Sequence, residues 1–280
     1  MTSKAKNQPI KQYHQTIKDA SFFTQFKKQV RGQKIISVDR RAKNILINLS
    51  SGQTILIHMK MTGHLLYGTY ARAGKDAWIP AKSEKNEALH DPFNRFLHFV
   101  VSFTNGRHLV LSDARKFAKV MLLLENTVHF QDLGPEPLGK SFDLKKFKEC
   151  LLKKPASRIK QVLMDQSVIS GIGNIYSDEM LWSAGIHPLS RVRDIPLKEL
   201  GKLFVSMKKV LEKGLDFGGD STSDYRQIDG RPGKFNHAHN VYRLQGTCCK
   251  KPGCKGAILR IVIGSRSAHF CPVHQKRFGS

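Results

Sequence analysis

The stretch Ser157–Glu179, SRIKQVLMDQSVISGIGNIYSDE, decides how this chain is read. Ile159, Val162, Leu163 and then Gln166 step at helical spacing, so its first half is an amphipathic helix. Ser167 to Gly173 breaks the pattern, and Asn174 to Trp182 resumes it with Ile175, Met180 and Leu181 apolar. Gly171 and Gly173 stand just before the second helix and leave its first N–H groups unshielded by side chains. Those groups, the helix dipole and the Asn174 amide suit a phosphate oxygen. The same letters, taken alone, also fit two core helices joined by a turn. Gly171-Ile172-Gly173 is not a dinucleotide fingerprint, because it follows a helix rather than a strand and lacks the third glycine.

On the N-terminal side of this stretch the texture is different. A helix is expected over 19–30, with Phe22, Phe23 and Phe26 on one face, after a polar and loose start at 1–7. Short β-type runs follow at 34–38, 44–49 and 54–59, with Ser50 to Gln53 as a turn between the last two. Residues 70–94 are polar, with Gly, Pro and Lys, and read as a long loop. The runs 96–103 and 108–111 flank Asn105-Gly106, a strong hairpin signal, and 119–124 adds another strand. The first half is therefore an antiparallel β-sandwich, and the fold class is α+β. Two prolines and two glycines in QDLGPEPLGK, residues 131–140, mark a linker. Beyond it helices are expected at 144–152, 159–166, 174–182 and 197–215. Residues 217–240 are glycine-rich, polar and basic, and too long for an idle connector. The expected organisation is a β-sandwich domain at 1–130, a linker at 131–142, a helical domain at 143–240 and a metal-binding β-hairpin at 241–280.

The chain has 280 residues, with 47 Lys and Arg against 22 Asp and Glu, a formal net charge of +25 and a pI near 10.0. That balance points to a polyanionic partner. No apolar run is long enough to span a bilayer, and the polar N-terminus lacks a signal-peptide core. Five cysteines, four of them after residue 247, do not form a secreted disulfide framework. The expectation is a cytoplasmic, reduced protein.

The tail reads CCKKPGCKGAILRIVIGSRSAHFCPVH. Cys249 and Cys254 flank one knuckle, Cys271 and His274 form a second, and sixteen residues between Cys254 and Cys271 suit a β-hairpin. Four such donors from two turns fit one tetrahedral zinc ion with no open position for water, a structural site. Cys248 competes with Cys249 for the first place. Cys249 is favoured, since Cys248 would widen that knuckle further. The metal's expected purpose is to hold a hairpin too short to bury enough apolar area by itself, with Arg266 near its tip.

Together these features resemble the formamidopyrimidine-DNA glycosylase family (Fpg/MutM, with Nei as its sister branch). The resemblance runs from about Phe22 to Gln275. It is carried by HMKMTG at 58–63, DARKF at 113–117, LGPEPL at 133–138, IKQVLMDQ at 159–166, GIGNIYSDE at 171–179 and the C-terminal hairpin. It implies a helix–two-turns–helix domain, removal of oxidised purines such as 8-oxoguanine and formamidopyrimidine from double-stranded DNA, and cleavage of the abasic strand by β,δ-elimination. It implies a monomer with no obligate protein partner, working at the nucleoid. By the same resemblance Met61 and Phe117 fill the void left by an everted base, and Arg115 reads the cytosine opposite. Lys43, His58, Asn174 and Arg266 form a phosphate clamp, and Lys160 lies near the damaged base. The segment from Gly218 to Tyr225, with Gly219, Ser221 and Thr222, closes over the everted purine, and Tyr242 packs against the finger.

One departure stands out. The family's nucleophile is an N-terminal proline amine followed at once by a glutamate, whereas this chain begins MTSKAKNQPI. Pro9 has its nitrogen in a peptide bond, Pro135-Glu136 is internal, and Thr2 would offer a primary amine from the wrong place. Counting back from Lys43, the family's first helix has no counterpart here, which is expected to leave apolar sandwich surface uncovered. The chain is therefore read as a glycosylase in a shortened form, or as a binder of damaged DNA that does not excise it.

Overall fold

The computed structural model describes residues 20–74, 77–123, 130–222 and 224–279. The expectations for 1–7, Thr2, Pro9, Asp19 and Leu124 lie outside them. The chain forms two compact units, one of Met1–His129 with Ser221–Gly233 and one of Phe130–Asp220 with Lys234–Ser280.

The first unit opens with helix α1 (Ala20–Val30), followed by strands β1 (Ile35–Arg41), β2 (Asn44–Leu49), β3 (Thr54–His58) and β4 (His64–Gly68). Then come β5 (Tyr70–Ala73), β6 (Ala77–Pro80), β7 (Leu97–Ser102), β8 (His108–Ser112) and β9 (Lys119–Leu123). They pair antiparallel as a four-stranded sheet β1-β2-β3-β9, a three-stranded sheet β4-β8-β7 and a small β5-β6 ribbon. Ile47, Ile55, Ile57 and Val120 of the first sheet share one core with Leu65, Phe99 and Leu111 of the second, so the two larger sheets form a sandwich. Phe22 and Phe26 of α1 are buried in that core, and Phe26 meets Phe99 edge-on at 5.4 Å. Each such side chain, fully buried, stabilises by about 1.5–3 kcal/mol. Edge strand β1 leaves Ile35, Ile36 and Val38 exposed.

Residues 70–94 are not the long loop expected. They hold β5, β6 and two 3-10 turns at Glu87–His90 and Pro92–Asn94. Tyr70 and Leu89 are buried with Leu66 and Val110 in a second small core, against which Trp78 packs. The apolar residues that hold this segment are few and far apart in sequence, so no local periodicity announces them. Strand β4 also went unannounced, because HLLYG has no alternation of its own.

The second unit contains α2 (Leu144–Leu151), α3 (Ile159–Met164), α4 (Asn174–Ala184), α5 (Leu197–Asp216) and the hairpin β10 (Leu259–Ile263)–β11 (Arg266–Phe270). Its core joins Phe147 of α2, Ile159 and Val162 of α3, Met180 and Leu181 of α4 and Leu203 of α5. Asp143 caps α2 by accepting the Lys146 N–H at 2.7 Å. Gly185, at φ 72°, ends α4 in the left-handed conformation that glycine adopts without strain. The Gln166 amide pins the two turns between α3 and α4. It donates to the Met164 and Ile172 carbonyls, both at 2.9 Å, and accepts the Gly171 N–H at 2.8 Å. The Pro/Gly-rich connector at 131–140 is packed rather than loose: the Gly134 N–H donates to Gln166 O at 2.8 Å and the Ser170 N–H to Pro135 O at 3.0 Å.

The segment expected to belong wholly to the helical domain divides. Gly218 and Gly219 stay with the second unit, whereas Ser221–Gly233 is part of the first. The Tyr67 N–H donates to Ile228 O at 2.8 Å, Asn86 Nδ2 to Asp229 O at 2.8 Å and Asn94 Nδ2 to Gly230 O at 3.3 Å.

Candidate nucleic-acid interface and metal centre

In the first unit one loop carries Met61 and another carries Arg115 and Phe117, and Met61 and Arg115 are in contact. Met61 is 58 % exposed and Phe117 55 %. Neither is a core residue. Arg115 is exposed and its guanidinium nitrogen lies 3.8 Å from Met61 Sδ. Lys60 and Lys116, the residues just before Met61 and Phe117, both hold φ 56°. That left-handed backbone costs a side-chain-bearing residue roughly 1–2 kcal/mol. Asp113, fully buried, holds it in place: its carboxylate accepts the Thr62 hydroxyl, the Arg115 N–H at 3.3 Å and the Ala118 N–H at 2.7 Å. A side chain at Gly63 would meet the Met59 carbonyl oxygen at 2.5 Å, so the first loop closes only with glycine there. Asp113 and Thr62 lie inside the DARKF and HMKMTG motifs, which do not by themselves show the bond between them. They are 51 residues apart, and no spacing rule links them.

At one end of the four-stranded sheet, His58 pairs across the ladder with Asn44 and Lys119. Lys43 sits in the turn joining β1 to β2, after Ala42 at φ 53°. Burial first, and then the charges of Lys60, Lys43 and Lys119, push the His58 pKa down to about 4. Its Nδ1 accepts the Lys60 N–H at 3.0 Å, so the neutral ring presents Nε2–H as a donor.

The other two expected phosphate contacts lie in the second unit. Asn174 is the first residue of α4, behind an extended Gly173 with no side-chain cap, and its buried Oδ1 has no hydrogen-bond partner. Arg266 is exposed at the start of β11, just after the Gly264-Ser265 turn, in which both residues have positive φ. A Cβ at Gly264 would lie 2.6 Å from the Gln161 amide of α3, so the hairpin turn rests on the helical domain.

Lys160, expected near the damaged base, is a buried residue of α3. It is 1 % exposed, ion-paired with Asp178 and 3.4 Å from Ser177 Oγ. Burial lowers its pKa, against the opposing pull of Asp178. Asp178 also accepts the His269 N–H and contacts His269 Nδ1, both at 3.0 Å, tying α3, α4 and β11 together. Neighbouring Glu179, equally buried, accepts the backbone N–H groups of Asn240, Val241 and Tyr242. This fixes Tyr242, whose ring meets His269 of the finger edge-on at 4.9 Å. Two consecutive acids, in a chain so poor in them, were the available signal for this hub.

Of the segment from Gly218 to Tyr225, Gly218 and Gly219 have positive φ, and Ser221 Oγ donates to Tyr225 O at 2.5 Å and accepts the Gly233 N–H at 2.7 Å. Thr222 and Tyr225 are half-buried.

The donor atoms of Cys249, Cys254, Cys271 and His274 all lie within 4.8 Å of one another. Cys254 Sγ is 3.6 Å from Cys271 Sγ, Cys249 Sγ is 3.2 Å from His274 Nδ1, and all these thiols are free. Cys248 is exposed and lies outside this cluster, which contains Cys249. The Gly256 N–H, foremost, holds the Cys254 pKa down, and burial lowers that of His274. Three thiols and a neutral imidazole so arranged can hold one soft or borderline metal ion.

A β-sandwich unit with an exposed apolar pair beside an arginine, and a helix–two-turns–helix unit ending in a Cys/His hairpin, define a DNA-repair architecture. Comparison with known proteins agrees. Residues 1–120 match the family model of the formamidopyrimidine-DNA glycosylase N-terminal domain, and residues 133–226 match that of its H2TH domain. A formamidopyrimidine-DNA glycosylase from Herpetosiphon aurantiacus is 37 % identical over 252 residues, covering 89 % of this chain and 84 % of the relative. One from Chloroflexus aggregans is 38 % identical over 253 residues, covering 90 % and 84 %. Lactococcus lactis Fpg in complex with abasic-site DNA aligns with a TM-score of 0.76 at 29 % identity, covering 91 % of this chain and 87 % of that one. A mutant of the same Fpg with Fapy-dG DNA aligns at 0.77 and 29 %, with the same coverage. The chain belongs to the formamidopyrimidine-DNA glycosylase family.

Proposed function

We propose that this protein is a base-excision DNA glycosylase that removes oxidised purines, formamidopyrimidine and 8-oxoguanine among them, from duplex DNA and cleaves the resulting abasic strand. The exposed Met61–Arg115–Phe117 group is the observation that carries this reading. Everting a base costs a few kcal/mol, and apolar side chains entering the vacated stack, with a forked donor for the orphaned partner base, offset it. Lys43, His58, Asn174 and Arg266 each offer a donor to backbone phosphate, which a charge of +25 favours further. Gly218, Gly219, Ser221, Thr222 and Tyr225 form the segment that covers the everted purine. One structural zinc ion belongs at Cys249, Cys254, Cys271 and His274. The protein works as a monomer at the nucleoid, in the cytoplasm. Among the described residues no helix is long and apolar enough to cross a membrane.

The lyase step requires an amine that attacks the sugar carbon and forms a Schiff base. The alternative is a protein that binds damaged DNA without excising the base. Borohydride trapping on 8-oxoguanine DNA separates the two. The proposed activity predicts a covalent complex, whereas the alternative predicts binding to abasic-site DNA with no complex. Trapping by the chain as it stands would retire the binder reading.

A further inference from the structure

We infer that Trp182 of α4 is part of the metal centre: it fixes two of the four donors, so the bound metal joins α4 to the hairpin instead of only stapling the hairpin. The inference rests on the proposed metal site and on no assumption about DNA. The Trp182 indole N–H donates to Cys249 Sγ at 3.3 Å. The Trp182 carbonyl oxygen lies 2.9 Å from His274 Nε2, which therefore carries the proton. This leaves Nδ1 as the free donor, 3.2 Å from Cys249 Sγ. The two rings also meet edge-on at 5.2 Å.

One residue of a helix thus sets the tautomer of the imidazole donor and shares the charge of one thiolate donor. Such outer contacts fix donor orientation, and their loss weakens metal binding about 10–100-fold. The carbonyl belongs to the last turn of α4, where the helix dipole favours an N–H directed at it. Further bonds fasten the same place. The Lys276 N–H donates to Gly185 O at 2.9 Å, Gln275 Nε2 donates to Ile186 O at 2.8 Å, and the Cys271 N–H donates to Gln275 Oε1 at 2.8 Å. The second knuckle is therefore built against the end of α4, the helix that begins with Asn174.

The chain has two tryptophans, Trp78 and Trp182, so a Trp78→Phe protein reports on Trp182 alone. Its emission is expected to change when zinc is removed by a chelator and to return when zinc is added back. In the full-length Trp182→Phe protein, chelator competition is expected to show about tenfold weaker zinc binding. With Co2+ in place of zinc, the thiolate-to-metal charge-transfer band is expected to move to lower energy, because a thiolate without its N–H donor gives up charge more readily. A packing role alone would not shift that band. Emission from Trp182 that ignores the metal overturns the inference whether or not the variant folds. So does a folded Trp182→Phe protein with an unmoved band and zinc affinity within twofold of the parent.

Discussion

Asp113 in the first unit and the pair Asp178–Glu179 in the second are all fully buried carboxylates, yet they hold different kinds of structure. Asp113 binds a single loop and its neighbour, and the side chains it steadies, Met61, Arg115 and Phe117, point to solvent. Asp178 and Glu179 bind segments far from α4 in sequence: Lys160, His269 and the backbone of Asn240 to Tyr242. A carboxylate of the first kind supports a tool that the fold itself does not need. The second kind is scaffold. Loss of scaffold should therefore appear as lost stability, and loss of the tool as lost recognition.

The largest effect belongs to the scaffold. Glu179→Ala removes a buried carboxylate and the acceptor of three backbone N–H groups, those of buried Val241 and half-buried Asn240 and Tyr242, and is expected to cost about 3–5 kcal/mol. Denaturant unfolding measures it, and a loss below about 1 kcal/mol would mean that water replaces the carboxylate and that the contrast is overdrawn. Asp113→Ala should cost less stability, about 2–3 kcal/mol, but should also speed hydrogen exchange at the Arg115 and Ala118 amides. Unchanged protection there would show that the loops stand without the clasp.

Another effect concerns pH. His58 is held neutral in the fold, with a pKa near 4 against an ordinary 6.5. Between these values the unfolded chain takes up a proton that the folded chain refuses, so His58 makes stability fall as pH falls through that window. His58→Asn should flatten the dependence of unfolding free energy on pH between about 6.5 and 4. An identical slope in parent and variant would remove His58 from the account.

Much of this architecture is legible in the letters, and the residues show why. Asn105-Gly106 marks its hairpin, the helical spacing after Ser157 marks α3 and α4, and paired knuckles mark the metal donors, because each is a short-range pattern. What escaped depends on contacts between distant residues. Thr62 meets Asp113, Lys160 meets Asp178, and Asn86 holds the backbone of Asp229 across 143 positions. Composition alone described residues 217–240 well as polar and glycine-rich, but it could not say that Ser221–Gly233 would pack with the β unit.

The central claim is that Met61 and Phe117 occupy the gap left by an extruded nucleotide. It is tested most directly by comparing affinity for abasic-site duplex and for intact duplex in Met61→Ala and Phe117→Ala. Both variants should keep their stability, since both side chains are exposed. Each should lose about tenfold in affinity for abasic DNA, roughly 1.4 kcal/mol, with little change on intact DNA. Equal losses on the two duplexes would contradict the claim.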